Sequence, residues 1–119
     1  MKKIIVANWK MNPRTFNEAR VLARSLKRHA KFRDKTTVIV APPFVYFPLF
    51  GKKNLLAAQN AFYEDKGAFT GEISPAMLKS IGVKYVIFGH SERREQAGET
   101  DKIINAKILL AAVIKNNIV

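Results

Sequence analysis

Apolar and polar positions along the chain follow two rhythms in turn. Ile4–Ala7 is a short β-branched apolar run, read as a strand buried on both faces. Thr15-Phe16-Asn17-Glu18 then offers a capping box, with Thr15 as N-cap and Glu18 three residues on. Phe16, Ala19, Leu22, Ala23, Leu26 and Ala30 recur at helical spacing, with Arg20, Arg24, Lys27, Arg28 and Lys31 largely opposite them. The spacing predicts an amphipathic helix carrying much of the positive charge.

Thr37–Ala41 reads as a second buried strand, stopped by Pro42-Pro43, which cannot donate to a ladder. The apolar, aromatic stretch 44–50 predicts a short helix under a loop, and Leu55–Gln59 a third strand. Asn60–Glu72 is a longer polar segment with Gly67 and Gly71, a candidate functional loop. Ser74-Pro75 caps and opens a helix that Gly82 ends. Val83–Phe88 reads as strand four, and Gly89–Arg94 as a loop or single turn. Thr100 caps a long helix to about Lys115, with Ile103, Ile104, Ile108, Ala111, Ala112 and Val113 as its apolar surface. Ile118-Val119 resembles the start of another strand. Apolar strands alternating with amphipathic helices predict an α/β fold with a parallel sheet and right-handed crossovers, four βα units long.

Composition narrows the function classes. The 119 residues include no cysteine, which excludes a disulfide framework, a thiolate metal site and a thiol nucleophile. The two histidines, His29 and His90, are far apart in sequence, so a His-based metal site is not expected. His29, amid basic residues, reads as a surface side chain. The net charge is +12, but the basic residues are spaced, and positions 38–50 carry no charge. Without a nucleic-acid motif, this reads as a solvated basic face, and no nucleic-acid partner is expected. The apolar runs fall well short of the ~20 residues needed to cross a bilayer. The opening apolar run is also too short for a signal core. The expectation is a cytoplasmic protein with no membrane partner.

Polar residues collect just after strands one, three and four, where ligands bind in parallel α/β folds. Lys10 there can bind a phosphate or polarise a carbonyl oxygen, or be a surface lysine. His90 can be a general acid, a neutral hydrogen-bond donor to a developing enolate, or a loop histidine capping a turn. Glu92 can be a catalytic carboxylate or the ion-pair partner of a nearby cation. Gln59-Asn60 suits holding loops by hydrogen bonds. Phe69-Thr70-Gly71-Glu72 can plug into a partner subunit or fold back on its own loop. Trp9 and the Phe and Tyr set read as core.

Together, Asn8-Trp9-Lys10-Met11-Asn12, Ala41-Pro42-Pro43, Ala58-Gln59-Asn60, Gly67–Ser74 and Gly89–Arg94 resemble the triosephosphate isomerase family in order and spacing, over residues 1–119. The resemblance implies interconversion of dihydroxyacetone phosphate and glyceraldehyde 3-phosphate without metal or organic cofactor. Lys10 would stabilise the anionic substrate and the developing enediolate, and Asn8 would orient it. His90 would be the neutral electrophile, supported by Ser91 and Glu92. Thr70, flanked by Phe69 and Gly71, would reach the other subunit of a dimer.

One departure is large. The family forms an eight-stranded barrel of about 250 residues, whereas four βα units are present here. The family's proton-abstracting carboxylate, its lid and its glycine-rich phosphate loops belong to the second half. Residues 1–119 are therefore expected to form a single partial (β/α)4 half-barrel, inactive alone. Its sheet edges would be met by a complementing C-terminal half or by a second copy. The alternative is a self-associating structural module without catalysis.

Overall fold

A computed structural model describes residues 3–28, 36–51, 56–114 and 117–118. Strands and helices alternate: β1 (Lys3–Asn8), α1 (Phe16–Arg28), β2 (Thr36–Ala41), a 3₁₀ segment (Phe44–Leu49), β3 (Ala57–Ala58), α2 (Pro75–Ser80), β4 (Tyr85–Val86), α3 (Ser91–Gln96), α4 (Asp101–Ile114) and β5 (Asn117–Ile118). β1 pairs with β2 in parallel, as β4 does with β5, so the predicted α/β class with parallel strands is present. The chain divides into two compact units, Met1–Ala57 and Ala58–Val119.

In the first unit the β1–β2 register runs from Lys3 opposite Thr36 to Asn8 opposite Ala41. The Trp9 N–H extends it by donating to the Ala41 carbonyl at 3.0 Å. The capping box forms in both directions: Glu18 N–H donates to Thr15 Oγ1 at 3.2 Å, and Thr15 N–H to Glu18 Oε2 at 3.1 Å. Pro42-Pro43 ends β2, and the 3₁₀ segment starts as Tyr46 N–H reaches the Pro43 carbonyl at 3.0 Å. Ile39, Val40, Ala41, Tyr46, Phe47 and Phe50 form the core of this unit. The buried Tyr46 keeps its hydroxyl satisfied by donating to the Pro13 carbonyl at 2.7 Å.

Three expectations for this unit need correction. β1 is not buried on both faces: Ile4 is 62% and Ile5 54% exposed. Among the described residues β1 has a single ladder neighbour, and apolar side chains are buried only where a second layer covers them. On α1 only Ala19 and Ala23 are fully buried, while Phe16 and Leu22 stay exposed, because the small residues make the close approach. The aromatic set is not uniformly core. Phe47 and Phe50 are buried, Trp9 is half-buried edge-on to Phe50 at 5.7 Å, and Phe16 is exposed, as are Tyr63 and Phe69 in the second unit. His29, Ala30, Lys31, Leu55 and Lys115 lie outside the described residues.

In the second unit Ser74 caps α2 by accepting the Met77 N–H at 3.2 Å, with Pro75 at the first helical position. Gly82, at φ 87, turns the chain out of the helix in a conformation that costs a β-carbon-bearing residue roughly 1–2 kcal/mol. That turn sends the Val83 N–H to the Leu78 carbonyl at 3.1 Å, so β4 is shorter than the predicted Val83–Phe88. Ile87 N–H still reaches the Ala58 carbonyl at 2.9 Å. β3 is likewise confined to Ala57–Ala58 within the predicted Leu55–Gln59. On α4, Ile104, Lys107 and Ala111 are buried, whereas Ala112 and Val113, expected on the apolar face, are exposed. No described helix is long and apolar enough to cross a membrane.

Candidate active site

In the first unit, Asn8 closes β1 and Lys10 follows two residues later. Lys10 has φ 56, a left-handed conformation unfavourable for any residue with a β-carbon. Its N–H donates to Asn8 Oδ1 at 2.9 Å, which holds the turn. A short polar side chain two residues back is what such a turn needs, so Asn8 has a local job independent of any ligand. The Lys10 side chain is exposed just past the strand's C-terminal end. An ammonium held there on a strained backbone is suited to an anionic ligand.

In the second unit, His90 follows β4 and Gly89. The expected loop or single turn is a short helix, α3, with His90 as its N-cap. The short turn is extended because the Arg93 and Arg94 N–H groups both take the His90 carbonyl, at 3.0 and 3.2 Å. His90 Nδ1 accepts the Glu92 N–H at 3.2 Å, so the ring is an acceptor at Nδ1. A neutral imidazole in this arrangement carries its proton on Nε2 and can donate from there. The Glu92 carboxylate lies 3.8 Å from Nδ1, and Ser91 is exposed on the first turn of the helix. Arg94 braces the turn, donating to the Gly89 carbonyl at 3.2 Å and to Asp101 Oδ1 at 2.7 Å.

The 60–74 loop is closed at its neck, where Phe62 N–H meets the Ile73 carbonyl at 2.8 Å. Phe69 folds back, its ring 4.8 Å from that of Phe62. Gly67 allows this approach: at φ 148, a β-carbon there would sit 2.7 Å from the Phe69 ring. Thr70 and Gly71 are left exposed at the tip.

One group of side chains escaped the sequence reading. Glu99, 7% exposed, receives Arg93 Nε at 2.6 Å and the ammonium of Lys107, itself 3% exposed, on the same Oε1. Lys107 also donates to Asn60 Oδ1 at 2.8 Å. Asn60 thus does hold a loop by a hydrogen bond, as its residue type suggests. The signal for Lys107 was present but unread: it falls between Ile104 and Ala111, on the face that is otherwise apolar. Burial pushes the Glu99 carboxyl up, but Lys107 and Arg93 outweigh that and hold it below the ordinary value of 4.5. A carboxylate depressed in the folded state contributes stability above its unfolded pKa and loses it as pH falls through the folded one. Urea midpoints measured from pH 6 down to pH 2 should therefore fall below about pH 4.5. In Glu99→Gln this part of the acid sensitivity should be gone; an undiminished acid slope would contradict the assignment.

Polar groups follow the C-terminal ends of β1 in the first unit and β4 in the second, the position at which parallel α/β proteins bind ligands. The described part of the chain also fits a βα-barrel class of enzyme. A family model described as triosephosphate isomerase matches residues 3–119, and the chain belongs to that family. The chain is 50% identical over 115 residues to the triosephosphate isomerase of Thermoanaerobacter pseudethanolicus, covering 92% of this chain and 46% of that protein. Its counterpart in Thermodesulfovibrio yellowstonii is 50% identical over 112 residues, covering 90% and 45%. That of Dehalococcoides mccartyi is 47% identical over 117 residues, covering 93% and 46%. The chain spans about half the length of the curated relatives it matches. Its parallel strands and the helices that follow them, described unit by unit above, fit an α/β fold of this family.

Proposed function

We propose that residues 1–119 carry the electrophilic half of a triosephosphate isomerase site and need a complementing half to turn over substrate. The observation that carries this reading is His90: a helix N-cap whose Nδ1 accepts a backbone N–H, leaving Nε2 to donate. Such a donor can protonate and polarise the two oxygens of a developing enediolate in turn. Lys10 would neutralise the phosphate-bearing substrate, Asn8 would orient it, and Ser91 and Glu92 would support the imidazole. Thr70, with Phe69 and Gly71, would meet a second subunit from the tip of the 60–74 loop. The family match runs unbroken across both units, which supports reading them as parts of one partial barrel domain. The substrate would be a triose phosphate, turned over in the cytoplasm without metal or organic cofactor. Neither nucleic acid nor membrane has a part in this reading.

Complementation tests it. The chain is mixed with a polypeptide supplying the remaining length of a relative, and isomerisation is followed. Turnover is expected only in the mixture, and His90→Gln in this chain should lower kcat about 10²–10⁴-fold. Equal turnover with His90→Gln would remove His90 from the mechanism.

A second reading, a self-associating half-barrel without catalysis, draws on the exposure of Ile4 and Ile5 on β1. An open strand edge with apolar side chains invites another chain. Light scattering at micromolar concentration should then give a mass above that of one 13.4 kDa chain. A clean monomer would count against that reading and favour a separate complementing half.

A further inference from the structure

Lys107, Glu99 and Asn60 have no part in the isomerase reading, yet they are an expensive arrangement. Burying an ammonium and a carboxylate removes both from water, and an apolar side chain of similar volume at 107 would avoid that penalty. Lys107 sits between Ile104 and Ala111 on α4, where such a side chain would pack. What an apolar residue cannot do is reach two other segments through directional bonds. Lys107 Nζ donates to Asn60 Oδ1 at 2.8 Å and to Glu99 Oε1. The same Glu99 oxygen takes Arg93 Nε at 2.6 Å.

Each end of this chain of contacts lies on something the proposed site uses. Asn60 opens the 60–74 loop, two residues before the Phe62 N–H that closes its neck. Arg93 belongs to the first turn of α3, and its N–H holds the His90 carbonyl at 3.0 Å. Arg93 is gripped at both ends, because its own carbonyl receives the Glu99 N–H at 3.3 Å after the turn at Gly98. Among the described residues Glu99 Oε2 is buried without a hydrogen-bond partner, and both donors load the other oxygen. Among the described residues, the side chains that set the orientation of the carboxylate are Lys107 and Arg93. Without Lys107, Glu99 would keep only Arg93, which is 39% exposed at its side chain.

We infer that Lys107 is a positioning residue: through Glu99 and Arg93 it fixes the turn that presents His90, and through Asn60 it ties that turn to the root of the 60–74 loop. The inference deepens the reading of His90 as the electrophile and rests on it for its functional meaning. Lys107 touches no reacting atom in this scheme. Its effect is on whether the His90 Nδ1 bond to the Glu92 N–H is held.

Amide hydrogen exchange on the 119-residue chain tests this without measuring turnover, so the result stands apart from success or failure of the isomerase reading. Protection of the Glu92 amide reports the His90 Nδ1 bond, and protection of the Ala111 amide reports the general stability of α4. In Lys107→Met, Glu92 should lose at least about tenfold more protection than Ala111. Lys107→Arg, which keeps a charge and several donors, should restore most of the difference. Loss at Glu92 only in step with Ala111, or no loss, would overturn the inference. Should Lys107→Met not fold, Asn60→Ala leaves the Lys107–Glu99 pair in place and serves alone. It should lower Glu92 protection by about threefold relative to Ala111; equal protection at the two amides would overturn the link to the loop.

Discussion

Given triose phosphate and no partner polypeptide, the 119-residue chain should show turnover at least about 10⁴-fold below that of a full-length relative. The physical reason is division of labour. An electrophile, the role proposed for His90, lowers the barrier only as a base removes the α-proton. The resemblance to the family implies that this base is a carboxylate of the second half, and no described residue is proposed for that role. Positioning is lost as well, since the lid and phosphate loops that hold the substrate also belong to the second half. An ammonium as exposed as that of Lys10 would hold a dianionic phosphate weakly, through water and screening ions. A coupled assay on purified chain checks this. Turnover within a hundredfold of a full-length relative would mean that a residue among 1–119 acts as the base.

The second large effect is on stability. Glu99→Leu should destabilise the chain by about 3–5 kcal/mol, since it leaves the Lys107 ammonium buried with only the Asn60 carbonyl as a described partner. Against the 5–15 kcal/mol typical of a domain, that is a large share. The double variant Glu99→Leu/Lys107→Met should recover most of the loss, because replacing both charges removes the desolvation cost along with the attraction. Urea unfolding of the wild type, both single variants and the double variant closes the cycle. A double variant as unstable as the sum of the two singles would show that the pair is not coupled.

Local features were readable in the chain because their causes lie within a few residues. The Thr15–Glu18 capping box, the Ser74 cap with Pro75, and the Gly82 stop each depend on side chains one to three positions away. The candidate residues Asn8, Lys10 and His90 were readable for a related reason. A switch from apolar to polar marks the end of a buried parallel strand, and that end is where ligands bind. The turn after His90 was open as one alternative, but its extension to a helix was not legible, because Ser-Glu-Arg-Arg has no apolar periodicity to announce it. It forms on backbone bonds to the His90 carbonyl and on the Arg93–Glu99 and Arg94–Asp101 pairs, which join residues six and seven apart.

The sequence by itself determined the alternation of strands and helices, where most of the helices begin, and the short motifs that carry the family. Periodicity and capping are local, and local energetics are written in neighbouring residues. Only the tertiary structure decided what is buried. Ile4 and Ile5 read as core and are exposed, because a strand's faces are covered by elements distant in the chain. Lys107, which escaped the sequence reading, is buried because Glu99 and Asn60, 8 and 47 positions away, come to meet its charge. Burial depends on packing between distant segments. A lysine's charge is tolerated inside only where such packing brings its counter-charge and acceptors along with it.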